Sequence, residues 1–139
     1  MKCLIIGLGN FGTTLAIELT NKGHEIIGVD HLEQRVEDIK DNISVAYIMD
    51  ATERTALKQL PLDEMDCAIV CIGQSMDYSL RTVAALKELG VSKVYARAID
   101  NTHQSILRAM NIKKIFIPEQ YAARIIADRF TSNKAEELF

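Results

Sequence analysis

The chain has 139 residues, 48% hydrophobic and 25% charged, the size and make-up of one ordinary globular domain. Sixteen Lys and Arg against nineteen Asp and Glu give a net charge of -3, so no basic surface is available to displace counterions from a nucleic-acid backbone, and nucleic acid is not an expected partner. The apolar runs fall far short of the roughly 20 residues of a membrane-spanning helix, and the run at the amino terminus is too short for a signal peptide, so an unexported, cytoplasmic protein is expected.

Residues 3–6 form the first short apolar run and predict a strand. Gly7, Gly9 and Gly12 follow it directly, and Phe11, Leu15 and Leu19 recur at four-residue spacing, which predicts an amphipathic helix opened by the glycine loop and stopped by Gly23. Residues 25–29 predict the second strand, with the acidic Asp30 at its end and His31 after it. Strand, glycine loop, helix and strand-terminal acid together make the dinucleotide-binding fingerprint. Gly7 permits the tight turn, Gly9 lets backbone approach a pyrophosphate, and Gly12 lets helix and strand pack closely; Asn10 and Phe11 open the helix whose free N–H groups would meet the phosphates. Asp30 would accept hydrogen bonds from both ribose hydroxyls of an adenosine and repel a 2′-phosphate, which disfavours NADP.

Residues 45–48 predict a third strand, residues 52–60 a short helix and residues 61–66 a loop. Asp50, Ala51 and Thr52 could border an adenine edge, or serve as a turn with Thr52 and Glu53 capping the helix. Residues 67–72 predict a fourth strand, whose end at Ile72 and Gly73 would keep the crevice floor open. Met76, Leu80 and Ala84, with Val83, Leu86 and Leu89 on an overlapping face, predict a helix that stops at Gly90. Residues 93–96 predict a fifth strand, and Arg97 at its end is either a cation for a nucleotide phosphate or half of a surface salt bridge. Asn101 or Thr102 could cap the next helix, with His103 and Arg108 read as its solvated start; residues 115–117 predict the sixth strand, before Pro118.

The expected fold is an α/β Rossmann-type sheet, doubly wound, parallel and six-stranded, with helices on both faces. It closes by about residue 118, so residues 1–118 form the nucleotide-binding domain and residues 119–139 a further helix carrying Tyr121, Ala122, Ile125, Ile126 and Arg129. Its apolar side either docks on a partner subunit or a missing domain, or packs on the sheet of its own chain. Cys3, Cys67 and Cys71 lie in apolar runs and read as buried small hydrophobes. His24, His31 and His103 are scattered, and no Gly-Lys-Ser/Thr loop is present, so the site reads as one that holds a nucleotide without transforming it, and the chain as a non-enzyme. The alternatives are the nucleotide-binding half of an NAD-dependent oxidoreductase and an interaction domain that binds no nucleotide.

The residues Ile5 to Gly12, Gly23-His24-Glu25, Val29-Asp30, Asp50-Ala51-Thr52, Ile72-Gly73 and Ile117-Pro118-Glu119 together resemble the regulator-of-potassium-conductance (RCK) family, in its TrkA-N and KtrA type. The resemblance implies a cytosolic regulatory subunit that binds NAD(H) or ATP/ADP, dimerises through its last helices as a homodimer or larger ring, and gates a potassium channel or transporter at the inner face of the cell membrane. It assigns Gly7, Gly9 and Gly12 to the phosphate loop, Asp30 to the ribose, Asp50 to Thr52 to the adenine wall, Arg97 to a phosphate, and Glu119 to a divalent cation at a subunit interface. Asn10 stands where several ATP-responsive members have an arginine, which favours NAD(H) or AMP-type ligands. The family's usual carboxy-terminal regulatory domain does not follow, which implies an excised domain or one that works with a separate protein.

Overall fold

The computed structural model describes residues 1–132. The chain alternates strand and helix: β1 (Lys2–Ile6), α1 (Asn10–Asn21), β2 (Glu25–Asp30), α2 (Glu33–Ile39), β3 (Val45–Ile48), α3 (Arg54–Leu57), β4 (Cys67–Val70), α4 (Met76–Glu88), β5 (Val94–Arg97), α5 (Asn101–Ala109), β6 (Lys114–Phe116) and α6 (Pro118–Thr131). All six strands join one parallel sheet in the order β3-β2-β1-β4-β5-β6. Chain order reverses between β1 and β4, and there the loops at the carboxyl ends of the strands diverge to leave a crevice.

The strands are apolar without interruption because helices cover both sheet faces. Leu4 and Ile6 of β1 point into one core with Ala68 and Val70 of β4, Leu57 of α3, Val83 and Leu86 of α4, and Leu107 of α5. Cys3 and Ile5 point the other way, into a core with Ile26 of β2, Ala16 of α1, and Val36 and Ile39 of α2. The three cysteines are buried and free, as their apolar runs predict, and Cys3 and Cys67 face each other across β1 and β4 with Sγ atoms 3.3 Å apart.

Several local expectations need correction. Helix α2 is absent from the sequence reading, because a seven-residue helix that buries only Val36 and Ile39 shows too little of the helical period. The fourth strand ends at Val70, since Cys71 and Ile72 turn away to floor the crevice. The cap of α5 is Asp100, whose carboxylate accepts the His103 N–H at 2.8 Å, and neither Asn101 nor Thr102. His103 is not solvated: it is fully buried within α5, where its Nδ1 accepts the Ile99 N–H at 2.9 Å. That bond leaves the ring proton on Nε2, which lies 3.1 Å from the Ser79 hydroxyl of α4. Burial pushes the His103 imidazole below its ordinary value, with Asp100 opposing more weakly. Helix α6 buries none of its residues, and Tyr121, Ile125, Ile126 and Phe130 are exposed. The charge run at 134–137 and the end of the expected last helix lie outside the described residues.

Candidate nucleotide site

The first turn after β1 is shaped by two close approaches. Gly7 has φ 99° and donates its N–H to the Val29 carbonyl at 2.9 Å; a side chain there would start 2.9 Å from the Ile72 nitrogen. A Cβ on Gly12 would fall 1.8 Å from the Gly7 carbonyl oxygen, so the first turn of α1 lies directly on the loop. Nothing lies within 4 Å of where a Gly9 side chain would project, which leaves this bend open to solvent and to a ligand. The amino end of α1, the β2 terminus, and the loops after β4 and β5 enclose a crevice of about 600 Å³. A cleft of that volume is in the range of small-molecule sites.

Of the residues singled out from sequence, Gly7, Gly9, Asn10, Phe11, Asp30, His31, Ile72, Gly73, Arg97 and Glu119 line this crevice. Gly12 does not, because its place is in the packing of α1 against the loop. Asp50, Ala51 and Thr52 do not line it either. Asp50 is turned into its own loop, where Oδ1 accepts the Thr52 hydroxyl at 2.6 Å and the Thr52 N–H at 3.0 Å; the hydroxyl bond holds the carboxyl below its usual range. Thr52 therefore gives no cap to α3, which begins after Glu53 without a side-chain cap. Ala51 is buried, and its N–H donates to the Tyr78 hydroxyl at 3.1 Å. Tyr78 of α4 is the ring that borders the crevice on this side, 5.1 Å from the His31 ring, and burial pushes its phenol up to about 12.

Asp30 is nearly enclosed. Its Oδ2 accepts the Leu8 N–H at 2.8 Å and its Oδ1 the Leu32 N–H at 2.9 Å, while Arg35 Nη1 and His31 Nδ1 stand 3.5 and 3.6 Å away. The acid thus ties the glycine loop to the turn after β2. At the other end of the crevice, the Arg97 guanidinium lies over the Phe11 ring, 5.6 Å from its centroid, and pairs with Glu119 of α6. It also packs on Gly73, where a Cβ would come within 2.7 Å of Nη1. Arg97 therefore makes the ion pair of one sequence reading, and its place on the crevice wall leaves the other, a cation for a phosphate, open. Its Nε is the one buried side-chain polar atom left without a hydrogen bond among the described residues.

Glu119 has this arginine as its partner, and among the described residues no group of three or more His, Cys, Asp or Glu could hold a metal ion. Gln74, which follows Ile72 and Gly73 at the end of the fourth apolar run, lines the crevice with them, and Arg35, Met49, Ser75 and Tyr78 also line it but escaped the sequence reading. Ser75 carried a usable signal: it stands just before the apolar period of α4, and its hydroxyl accepts the Tyr78 N–H at 3.1 Å as that helix's cap. Arg35 carried none, because the helix that presents it was not foreseen.

Residues 3–118 match the family model described as the TrkA-N domain. Ktr system potassium uptake protein C of Bacillus subtilis (strain 168) is 35% identical over 129 residues, which are 93% of this chain and 58% of that protein. The chain thus spans less than two thirds of this curated relative. Among solved structures, the Kef CTD of Shewanella denitrificans in AMP-bound form superposes with a TM-score of 0.75 at 20% identity, over 99% of this chain and 88% of that one. The GsuK channel bound to NAD superposes with a TM-score of 0.73 at 16% identity, over 84% of this chain and 21% of that one. No helix among the described residues is long and apolar enough to cross a membrane.

Proposed function

The chain belongs to the TrkA-N domain family, and from that premise we propose that it is the nucleotide-binding part of a regulatory subunit of potassium transport. The observation that carries the reading is the convergence, in one crevice, of the open Gly7–Gly9 bend, the amino end of α1 and the Asp30 carboxylate. A pyrophosphate set against α1 would meet unpaired N–H groups and the positive end of the helix. The ribose hydroxyls would donate to the carboxylate lone pairs that Leu8 and Leu32 leave open. NAD(H) is the first candidate ligand and AMP, ADP or ATP the others. The GsuK channel structure with NAD and the Kef structure with AMP support a nucleotide of this class in the crevice.

Regulation rather than catalysis is supported by the Ktr relative, a potassium uptake protein. The partner would be a membrane potassium channel or transporter, which places the chain at the inner face of the membrane. In this reading residues 1–118 bind the nucleotide, and α6, with Tyr121, Ile125 and Phe130 exposed, pairs with a second copy and passes on the ligand state. A ligand moves such an assembly only as far as it binds one arrangement better than the other. A divalent cation at Glu119 would require Arg97 to give up its partner and a second copy to supply further ligands.

Calorimetric titration with NAD, NADH, ATP, ADP and AMP, with particle mass by light scattering in the same buffers, tests the reading. Binding of one of them at micromolar Kd, about -8 kcal/mol, with a change in oligomer, supports it. No binding by any of them refutes it. Truncation before Pro118 should leave a monomer, and a truncated particle that stays dimeric removes α6 from the interface.

A further inference from the structure

The rule that an acid after the second strand excludes a 2′-phosphate assumes a bare carboxylate facing the ribose. Asp30 is not bare. Its side chain is only 2% exposed, each oxygen already accepts a backbone N–H, and a guanidinium and an imidazole flank it within 3.6 Å. The groups that reach the crevice at this end are Arg35 and His31, whose side chains are 27% and 49% exposed. The Arg35 side chain makes one hydrogen bond, the long 3.5 Å contact to Asp30, so most of the donors of its fork are uncommitted. A permanent cation with free, planar donors is suited to a phosphate, and the nearby negative charge is largely offset by the two N–H groups and by Arg35 itself.

We propose that Arg35 is a specificity-determining residue that reads a phosphate on the adenosine ribose, so that the crevice admits dinucleotides of the 2′-phosphorylated class, NADP(H), alongside NAD(H). The proposal rests on the nucleotide-binding reading above and deepens it. Asp30 keeps its part as acceptor for an unphosphorylated ribose; when a 2′-phosphate is present, the guanidinium swings from its long contact with Asp30 to a short, charge-assisted pair with the phosphate.

The test is titration of the intact chain, its R35A and R35K variants, and an R108A control on α5, with NADH and NADPH at two salt concentrations. The wild type is expected to bind the two within about threefold of each other, with NADPH the more sensitive to salt. R35A should weaken NADPH about tenfold or more and NADH little, as loss of a charge-assisted bidentate contact requires. R35K, which keeps charge but not the fork, should fall between and separates the phosphate contact from any general loss of fold. If the wild type binds NADH at least about thirtyfold more tightly than NADPH, or if R35A weakens both equally, the proposal is overturned while nucleotide binding stands. If neither dinucleotide binds the wild type, this proposal falls, and the nucleotide-binding reading falls with it only when ATP, ADP and AMP also fail to bind.

Discussion

Replacing Asp30 with Ala removes more than a ribose contact. The carboxylate holds the Leu8 N–H at 2.8 Å and the Leu32 N–H at 2.9 Å in a position only 4% exposed. Hydrogen bonds to a charged acceptor contribute about 1.5–3 kcal/mol each, and a buried donor left unpaired carries its own desolvation cost. The two bonds together therefore put the loss at about 3–6 kcal/mol, a large share of the 5–15 kcal/mol typical of a domain. Asp30→Asn keeps one acceptor oxygen but turns an amide N–H₂ toward the other donor, and should lose about half as much. Urea unfolding of wild type, D30A and D30N in the absence of ligand reads these values directly, with equal m-values showing that the unfolded states are alike. A D30A protein within about 0.5 kcal/mol of wild type would refute the structural part assigned to this acid. If the loss is found, an affinity drop in D30A says nothing about ribose recognition until the variant is shown to be folded at the assay temperature.

Other perturbations separate packing from recognition in the same way. Gly12→Ala drives a Cβ into the Gly7 carbonyl at 1.8 Å, a backbone atom that cannot give way, and should cost at least about 2 kcal/mol in urea unfolding; wild-type stability would mean that α1 does not lie on the loop as described. Gly73→Ala meets only the movable guanidinium of Arg97, so thermal stability should hold while dinucleotide affinity falls about tenfold; unchanged affinity would take Arg97 out of the binding site. His103 is depressed below the ordinary imidazole value of 6.5, so the folded chain binds a proton less readily than the unfolded one. Stability should then be full above about 6.5 and decline as the pH falls below it, by at most about 1.4 kcal/mol per pH unit. Unfolding measured between pH 7.5 and 5 in wild type and H103Q checks this, since a decline of the same slope in both proteins would clear His103 of it.

The parts of the fold that repeat a period were legible before any coordinates. Six apolar runs and three strong helical periods led to the parallel, doubly wound sheet, with strand ends displaced by a residue or two. The glycine loop and Asp30 were legible for a different reason, since each answers a steric or electrostatic demand within a short stretch of chain. What was hidden depends on neighbours far away in sequence. Nothing around His103 signals that its ring will be covered by Ser79 of α4, and nothing around Asp50 signals that Tyr78 will stand between it and the crevice. Arg35 was hidden twice: its helix is too short to show a period, and its position beside Asp30 exists only once α2 has packed on β2 and β3. The crevice wall supplied by Met49 and Tyr78 belongs to the same class, residues without a motif whose place is set by the sheet order.

Helix α6 has fourteen residues and buries none of them. Isolated helices of that length are marginal in water, because a costly first turn is followed by too few propagating ones. Its anchors within the chain include Ile117 at its start, the ion pair from Glu119 to Arg97, and the Gln120 amide, which donates to Asn101 Oδ1 at 3.4 Å. The stretch from Tyr121 onward leaves Tyr121, Ile125 and Ile126 exposed, and in the pairing proposed above it would draw its persistence from the copy that covers them. If α6 pairs with a second copy as proposed, the helical content of this one segment becomes a property of the solution as much as of the sequence: dilution that separates the copies should fray α6 from its carboxyl end while the sheet remains intact. A thermometer of assembly is written into the backbone, and amide exchange confined to residues 121–131 would read it.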